Sequence, residues 1–295
     1  MGTGIAKSLK QQYPEAKFVF GDPETYHDPA NNKLRINWSE VFENNPNIVQ
    51  PEEPVKTLVC IPDYPGCRPY IDYEGSEIAE NKYTKFKWMK DYSPIPGELY
   101  FSESEKSEAA EIALRLPSPF FVIEPNIADK EWTNHKGWPV DRWQKVVTEL
   151  KDEVEFIQMS KGETLRGIHQ VITPSFRQAC AVLSCAGGFI GTDGGLHHAA
   201  AALDIPAVVL WGHYSSPQIF GYTDHINLRH ANGLGCGSAW SDCDECKPSM
   251  EKITVEEVIA SIKEIIKNGR YISSRKRHKE PTFRMVGGST KGSKK

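Results

Sequence analysis

Residues Phe189 to Trp211, FIGTDGGLHHAAAALDIPAVVLW, leave few folds open. A short apolar run (Phe189, Ile190) stops at Gly191-Thr192-Asp193-Gly194-Gly195. An alanine-rich stretch from Leu196 to Leu203 reads as a helix, and a second apolar run, Ala207 to Trp211, follows Pro206. Strand, glycine turn, helix, strand is a βαβ unit, in which the helix begins at the carboxyl end of the first strand. The free N–H groups and positive dipole end of such a helix make an anion site. Gly194 and Gly195 let the main chain approach a phosphate with no side chain in the way. The competing reading is a tight turn whose glycines only ease helix packing. The His197-His198 pair favours the ligand site, because two polar rings in the first turn of an alanine helix contribute little to a core.

The same alternation runs through the second half of the chain. Phe120 to Glu124 and Val154 to Met159 read as strands, with a helix between them from Val140 to Lys151. A short strand at Gln170 to Ile172 precedes a helix from Ser175 to Cys185. Strands alternating with helices give a parallel sheet covered on both faces. A helix from Thr254 to Asn268 closes the pattern, with Thr254 and Glu257 in capping-box spacing.

The first half is less regular. A helix from Gly4 to Tyr13 feeds a strand, Lys17 to Phe20, and a second strand is expected at Lys56 to Ile61, with a short helix and loop at Trp38 to Val49. Tyr64 to Tyr83 reads as a loop, Lys85 to Lys90 as a helix, Glu98 to Ser102 as a strand, and Ser104 to Leu116 as a serine-capped helix with an acidic first turn. Pro117-Ser118-Pro119 is the domain boundary in this reading. It divides the chain into residues 1–117, 118–270 and a basic tail, 271–295, too poor in apolar residues to order itself. The tail is read as a solvated end, with an anionic-lipid or nucleic-acid contact as the alternative.

Composition narrows the class. A net charge of −4 over 295 residues gives no global field to recruit nucleic acid, and seven cysteines behind a start unlike a signal peptide suit a reducing interior. No apolar stretch approaches the ~20 residues that span a bilayer. The expectation is a soluble, cytoplasmic protein. An NAD-dependent oxidoreductase is disfavoured, because the glycine turn lacks G-x-G-x-x-G spacing and comes late in the chain.

The loop Asn126 to Trp138 follows a strand, as the Asp193 turn does, so both emerge at the carboxyl ends where ligands of open α/β sheets bind. Lys136 in that loop can pair with phosphate as a point charge. The Lys136-x-Trp138-Pro139 pattern followed by FIGTDGGLHHAAAALDIPAVVLWG resembles family 9 glycosyltransferases, the heptosyltransferase-like enzymes of lipopolysaccharide assembly. Tyr214-Ser-Ser-Pro217, Gly221-Tyr222, the cysteine-rich stretch into Met250-Glu-Lys-Ile, and Thr3-Gly4-Ile5-Ala6-Lys7 with Tyr13-Pro14 extend the likeness.

The resemblance implies the GT-B fold, α/β with two Rossmann-like domains, the N-terminal one incomplete here because its first strand and Gly-rich loop are not seen. It implies a nucleotide-sugar donor held by the C-terminal domain, with Asp193, Gly194, Gly195 and Leu196 offering backbone amides to the diphosphate and Lys136 offsetting its charge. His197 or His198 adds a donor, and Glu163 is the carboxylate placed for the ribose. The implied reaction is inverting, metal-independent transfer of a sugar, a heptose from an ADP-activated donor, onto a lipopolysaccharide core or another surface glycan. It needs no cofactor beyond the donor substrate, and it brings the protein to a glycan or glycolipid acceptor at the inner face of the membrane. The family places its catalytic base in the Gly-rich loop, so no base is identified in this sequence. The alternative is a nucleotide-sugar-binding relative without transferase activity.

Cys236, Cys243 and Cys246 form a C-x6-C-x2-C cluster. A metal there would need a fourth ligand, for which His225 and His230 are candidates. Reduced loop thiols, and no metal, are the reading taken.

Overall fold

The structure is a computed structural model that describes residues 2–20, 27–28, 33–34, 39–50, 58–61, 68–79, 82–125, 135–159, 164–238 and 243–268. Its centre is a six-stranded, all-parallel sheet made of β7 (Phe120–Glu124), β8 (Glu155–Gln158), β9 (His169–Gln170), β10 (Gly188–Thr192), β11 (Ala207–Trp211) and β12 (Ile226–Arg229). The spatial order is β12, β11, β10, β7, β8, β9. The chain therefore enters at the middle, winds out to one edge through β8 and β9, returns to β10 beside β7, and winds out to the other edge. The order reverses between β7 and β10, and a doubly wound sheet opens its ligand crevice at that point.

Residue alternation explains why both faces are covered. Phe120, Val122, Phe189, Val209 and Trp211 point into one core with α2 (Glu103–Leu114), α4 (Phe176–Leu183) and α5 (Gly195–Ala202). Phe121, Ile123, Ile190, Val208 and Leu210 point into the other with α3 (Val140–Leu150) and α8 (Val255–Lys267). Strands buried on both sides are expected to be continuously apolar, and Phe120 to Ile123 are all fully buried.

The N-terminal part has its own small core. Helix α1 (Gly2–Leu9) packs Ala6 against Phe18, Phe20, Phe42, Ile48 and Ile61, around a parallel pair of strands, β1 (Lys17–Phe20) and β4 (Leu58–Ile61). Between them lie a two-residue antiparallel pair, β2 (His27–Asp28) with β3 (Lys33–Leu34), and a 3-10 turn at Glu40–Phe42. Two shorter helices, α6 (Pro217–Phe220) and α7 (Cys246–Glu251), follow β11.

Three expectations are corrected. Residues 64–83 and 85–90 were expected as loop and helix, but residues 71–88 form an antiparallel hairpin, β5 (Ile71–Ala79) with β6 (Lys82–Trp88). Period-two alternation explains it, since Phe86 and Trp88 face the core while Lys85 and Lys87 face solvent. Glu98 to Ser102 form no strand, because the Tyr100 carbonyl accepts from the Arg177 guanidinium instead of a ladder partner. Strand β12 and helices α6 and α7 were not foreseen.

The capping box at Thr254 is built as the sequence implies, whereas α2 is capped by Ser102 with Glu105, two residues before the expected start at Ser104. At the start of α8 the Thr254 hydroxyl accepts from Glu257 N–H at 3.2 Å and the Glu257 carboxylate accepts from Thr254 N–H at 2.8 Å. Because α8 carries Val258, Ile262 and Ile265 into the core, Thr254→Ala is expected to lower folding stability by about 1 kcal/mol. A urea titration of the variant checks this, and an unchanged midpoint would contradict it.

Candidate functional site

Lys136 and Asp193 lie far apart in sequence and meet where the strand order reverses. Lys136 follows β7 and Asp193 follows β10, and the Lys136 Nζ stands 2.7 Å from Asp193 Oδ2. The same ammonium donates to the Asp193 carbonyl at 3.3 Å and lies 5.0 Å from the centre of the Tyr214 ring. Both side chains are nearly out of solvent, at 12% and 8% exposure. Ser215, fully inside the fold, donates its hydroxyl to Asp193 Oδ2 at 3.1 Å. Burial alone would raise the Asp193 carboxyl, but the Lys136 charge and the neighbouring imidazoles override it and hold the group below the usual carboxylate range. The pair is thus ionised and fixed. Distance alone would let Asp193, His197 and His198 ligate a cation, but the Lys136 ammonium already holds the charge position beside Asp193.

The helix behind this pair begins at Gly194 with no side-chain cap. Its first N–H groups, from Gly194 through His197, are the ones that an α-helix leaves without internal partners. The two glycines serve different ends. A Cβ at Gly194 would meet nothing nearer than the Thr192 carbonyl at 3.8 Å, so its face of the turn is open. A Cβ at Gly195 would stand 2.9 Å from the Phe176 ring, so that glycine lets α4 and α5 pack together. Leu196 is half-buried against the core and offers its amide.

His197 requires a correction. Its ring is fully buried, edge-on to Trp211 at 5.3 Å and beside Tyr222 and His225, and so faces the core rather than a ligand at the helix end. Its Nδ1 is 3.7 Å from Asp193 Oδ1, an electrostatic contact too long for a hydrogen bond. His198 is the outward member, 21% exposed, with Nδ1 2.9 Å from the Tyr222 hydroxyl. Glu163 and the loop residues 126–134 lie outside the described residues. Sequence reading noted Tyr214 and Ser215 only as part of the family likeness and gave them no role at the site, although their place just beyond the end of β11 was a usable signal.

Burial pushes the His197 and His225 imidazoles below their usual pKa, His225 to about 3. The unfolded chain protonates His225 near pH 6.5 and the folded chain does so only near 3, so the stability it carries is present at neutral pH and lost on acidification from about 6.5 toward 3, and the lowered His197 adds to that loss in the same direction. His225 is expected to contribute up to about 1.4 kcal/mol per pH unit in that window. Urea unfolding from neutral pH down to about pH 4 should show the loss, with a shallower slope in His225→Phe. A profile flat below neutrality would contradict it.

The cysteine cluster also closes. His213, directly after β11, brings Nδ1 to 3.8 Å from Cys243 Sγ, and Cys236 and Cys246 lie with their sulfurs 3.5 Å apart. The histidines expected to join the cysteines do not. His225 is packed against His197 and Tyr222, and His230 holds Glu257 at 2.8 Å.

Residues 78–244, more than half of the chain, match the family described as glycosyltransferase family 9 (heptosyltransferase). The chain belongs to glycosyltransferase family 9. Among solved structures, this family 9 chain is similar to the E. coli ADP-heptose lipopolysaccharide heptosyltransferase II, at 21% identity over 60% of this chain and 56% of that one, TM-score 0.45. It is similar to the family 9 glycosyl transferase of Veillonella parvula, at 18% identity over 58% and 54%, TM-score 0.47. A third is the dodecameric iron-containing heptosyltransferase TibC in complex with ADP-D-β-D-heptose, at 15% identity over 86% and 77%, TM-score 0.48. The chain thus spans little more than half the length of the first two. No curated protein matches it. Among the described residues, no helix is long and apolar enough to cross a membrane.

Proposed function

We propose that the chain holds a nucleoside-diphosphate sugar, an ADP-activated heptose, at the start of α5 and serves in metal-independent, inverting transfer of that sugar to a hydroxyl of a lipopolysaccharide core or other surface glycan. The observation that carries the reading is the Lys136–Asp193 pair at the uncapped start of α5, placed where the strand order reverses. Family 9 membership supports the choice of donor class.

In this reading the donor diphosphate lies against the open face of Gly194 and accepts from the amides of Gly194, Gly195 and Leu196. Charge grows on the leaving diphosphate as the sugar bond breaks, and fixed positive groups lower the barrier most when they are set in place beforehand. The dipole end of α5 and the Lys136 ammonium are such groups. Asp193 is a positioning residue that keeps Lys136 aimed. His198 supplies a hydrogen-bonding edge, and His197 a packed support behind the turn. Residues 118–270 are the donor side and residues 1–117 the acceptor side.

Release of ADP from ADP-heptose in the presence of a lipopolysaccharide-core acceptor, with no divalent cation and excess chelator, tests the transfer. Acceptor-dependent release supports it. ADP binding without release would leave a nucleotide-sugar-binding protein, and release only with added magnesium would overturn metal independence.

A further inference from the structure

We propose that a cavity at the carboxyl end of α5, lined by Asp204, Asp224 and His225, binds a small alkylammonium ion. Asp204 follows α5 and precedes β11, and Asp224 and His225 directly precede β12. The cavity therefore opens at the amino ends of two strands, at the opposite end of α5 from the Asp193 turn. It encloses about 330 Å³, a space that admits a small organic molecule.

Three sources of negative potential meet there. The carboxyl end of a helix carries the negative end of its dipole, and Ala201, in the last turn of α5, is part of the wall. Asp204 and Asp224 add two carboxylates on exposed residues, and among the described residues none that lines the cavity is a lysine or arginine. His225 brings no opposing charge at neutral pH, because burial takes its pKa down to about 3. The same histidine is an independent sign of a ligand. It is 7% exposed, the Ile205 main chain lies beside its ring, and its Nδ1 has no hydrogen-bond partner. A buried polar atom in that state costs stability that a ligand N–H restores.

A metal ion suits the cavity less well. Among the described residues, three or more ligand atoms within 4.8 Å of one another occur at the Asp193 turn and at the cysteine cluster, and Asp204, Asp224 and His225 form no such group. A hard cation gathers six or more oxygens, whereas Pro96, Ile205 and Pro206 make the rest of this wall apolar. An alkylammonium matches both parts. Its N–H groups donate to the carboxylates in charge-assisted hydrogen bonds, and its methylenes cover the apolar wall. The cavity also shares side chains with the back of the donor turn. Tyr222, another wall residue, holds His198 Nδ1 at 2.9 Å, and the His225 ring lies 5.4 Å from that of His197.

The test is calorimetric titration of 1,4-diaminobutane into the full chain at low salt, beside 1,4-butanediol and magnesium. The expected result is saturable binding of one diamine per chain, with no binding of the diol and no displacement of the diamine by magnesium. Asp204→Asn/Asp224→Asn should bind the diamine at least about 10-fold more weakly, the least that loss of a charge-assisted hydrogen bond costs. Asparagine tolerates the φ of +55 at Asp204, so the variant should keep the wild-type urea midpoint. Glu149→Gln/Asp152→Asn removes the same charge at the end of α3, on the other face of the sheet, and should bind like wild type. Wild-type chain that binds no diamine, or binds the diol as well, would overturn the proposal. Equal weakening in both double variants would show general attraction to an acidic surface, and displacement by magnesium would show a metal site; either overturns it too, as does full binding by Asp204→Asn/Asp224→Asn. Each such failure leaves the donor-site reading standing, because that reading rests on Lys136, Asp193 and the start of α5.

Discussion

Lys136→Ala is expected to cost about 3–5 kcal/mol of folding stability and to abolish binding of ADP. Removing one partner of a buried ion pair leaves the other charge uncompensated, which costs far more than losing a surface pair. Asp193 is 8% exposed and would keep only the Ser215 hydroxyl and two weakly placed imidazoles. Burial would then raise its carboxyl toward the protonated form. The pairing makes a second, sharper expectation. Lys136→Ala/Asp193→Ala should be more stable than Lys136→Ala alone, because the orphaned charge is gone, yet should bind ADP no better. Urea denaturation of the two single variants and the double variant forms the cycle that measures this coupling. Equal stability of Lys136→Ala and wild type would show that the pair carries no weight.

Arg177→Ala is the second large effect, expected at about 2–3 kcal/mol, because Glu105 is 25% exposed and is not stranded as a buried charge, but charge-assisted hydrogen bonds to it and to two carbonyls are lost. The Arg177 side chain is 5% exposed and ties three segments together. Its guanidinium grips the Glu105 carboxylate with two donors, donates to the Tyr100 and Glu40 carbonyls, and stacks over Phe101 at 5.3 Å. Glu105 is also the capping-box residue of α2, accepting from Ser102 N–H at 2.7 Å. The Arg177 hydrogen bonds bring the Glu105 carboxyl down to about 2. A depressed carboxylate gives stability that is present above its unfolded pKa, near 4.5, and is lost as pH falls toward 2. Wild type should therefore show an added acid loss below about pH 4.5 that Arg177→Ala lacks. Arg177→Lys should recover little, since an ammonium cannot present two parallel donors to one carboxylate. Full stability in Arg177→Lys would contradict the bidentate account.

The central sheet was legible because its strands are buried on both faces. Phe120 to Ile123 and Ala207 to Trp211 are unbroken apolar runs with proline or glycine close on either side, and such runs suit the middle of a covered parallel sheet. The hairpin was harder to read. Its strands are half-exposed, Gly75 and a shift in register interrupt them, and the lysine–aromatic alternation of β6 is short.

At the site, Lys136 and Asp193 could be placed because strand ends converge at one edge of the sheet. His197 could not, because Trp211, Tyr222 and His225, the groups that enclose its ring, come from later segments whose approach no local pattern encodes. The same reason explains His213. Nothing in C-x6-C-x2-C points to a histidine that the β11 strand end delivers, whereas His225 and His230 lay nearer in sequence and are committed elsewhere.

Calorimetric titration of ADP into wild type and Gly194→Leu tests the account most directly. A side chain at Gly194 would project into open space, so the variant should stay folded, losing no more than about 1 kcal/mol at the helix start. The expected result is one ADP per wild-type chain and binding weakened at least about 100-fold, near 2.7 kcal/mol, in Gly194→Leu. Wild-type chain that binds neither ADP nor an ADP-sugar, or Gly194→Leu that binds as tightly as wild type, would contradict the placement of a donor diphosphate at the Asp193 turn.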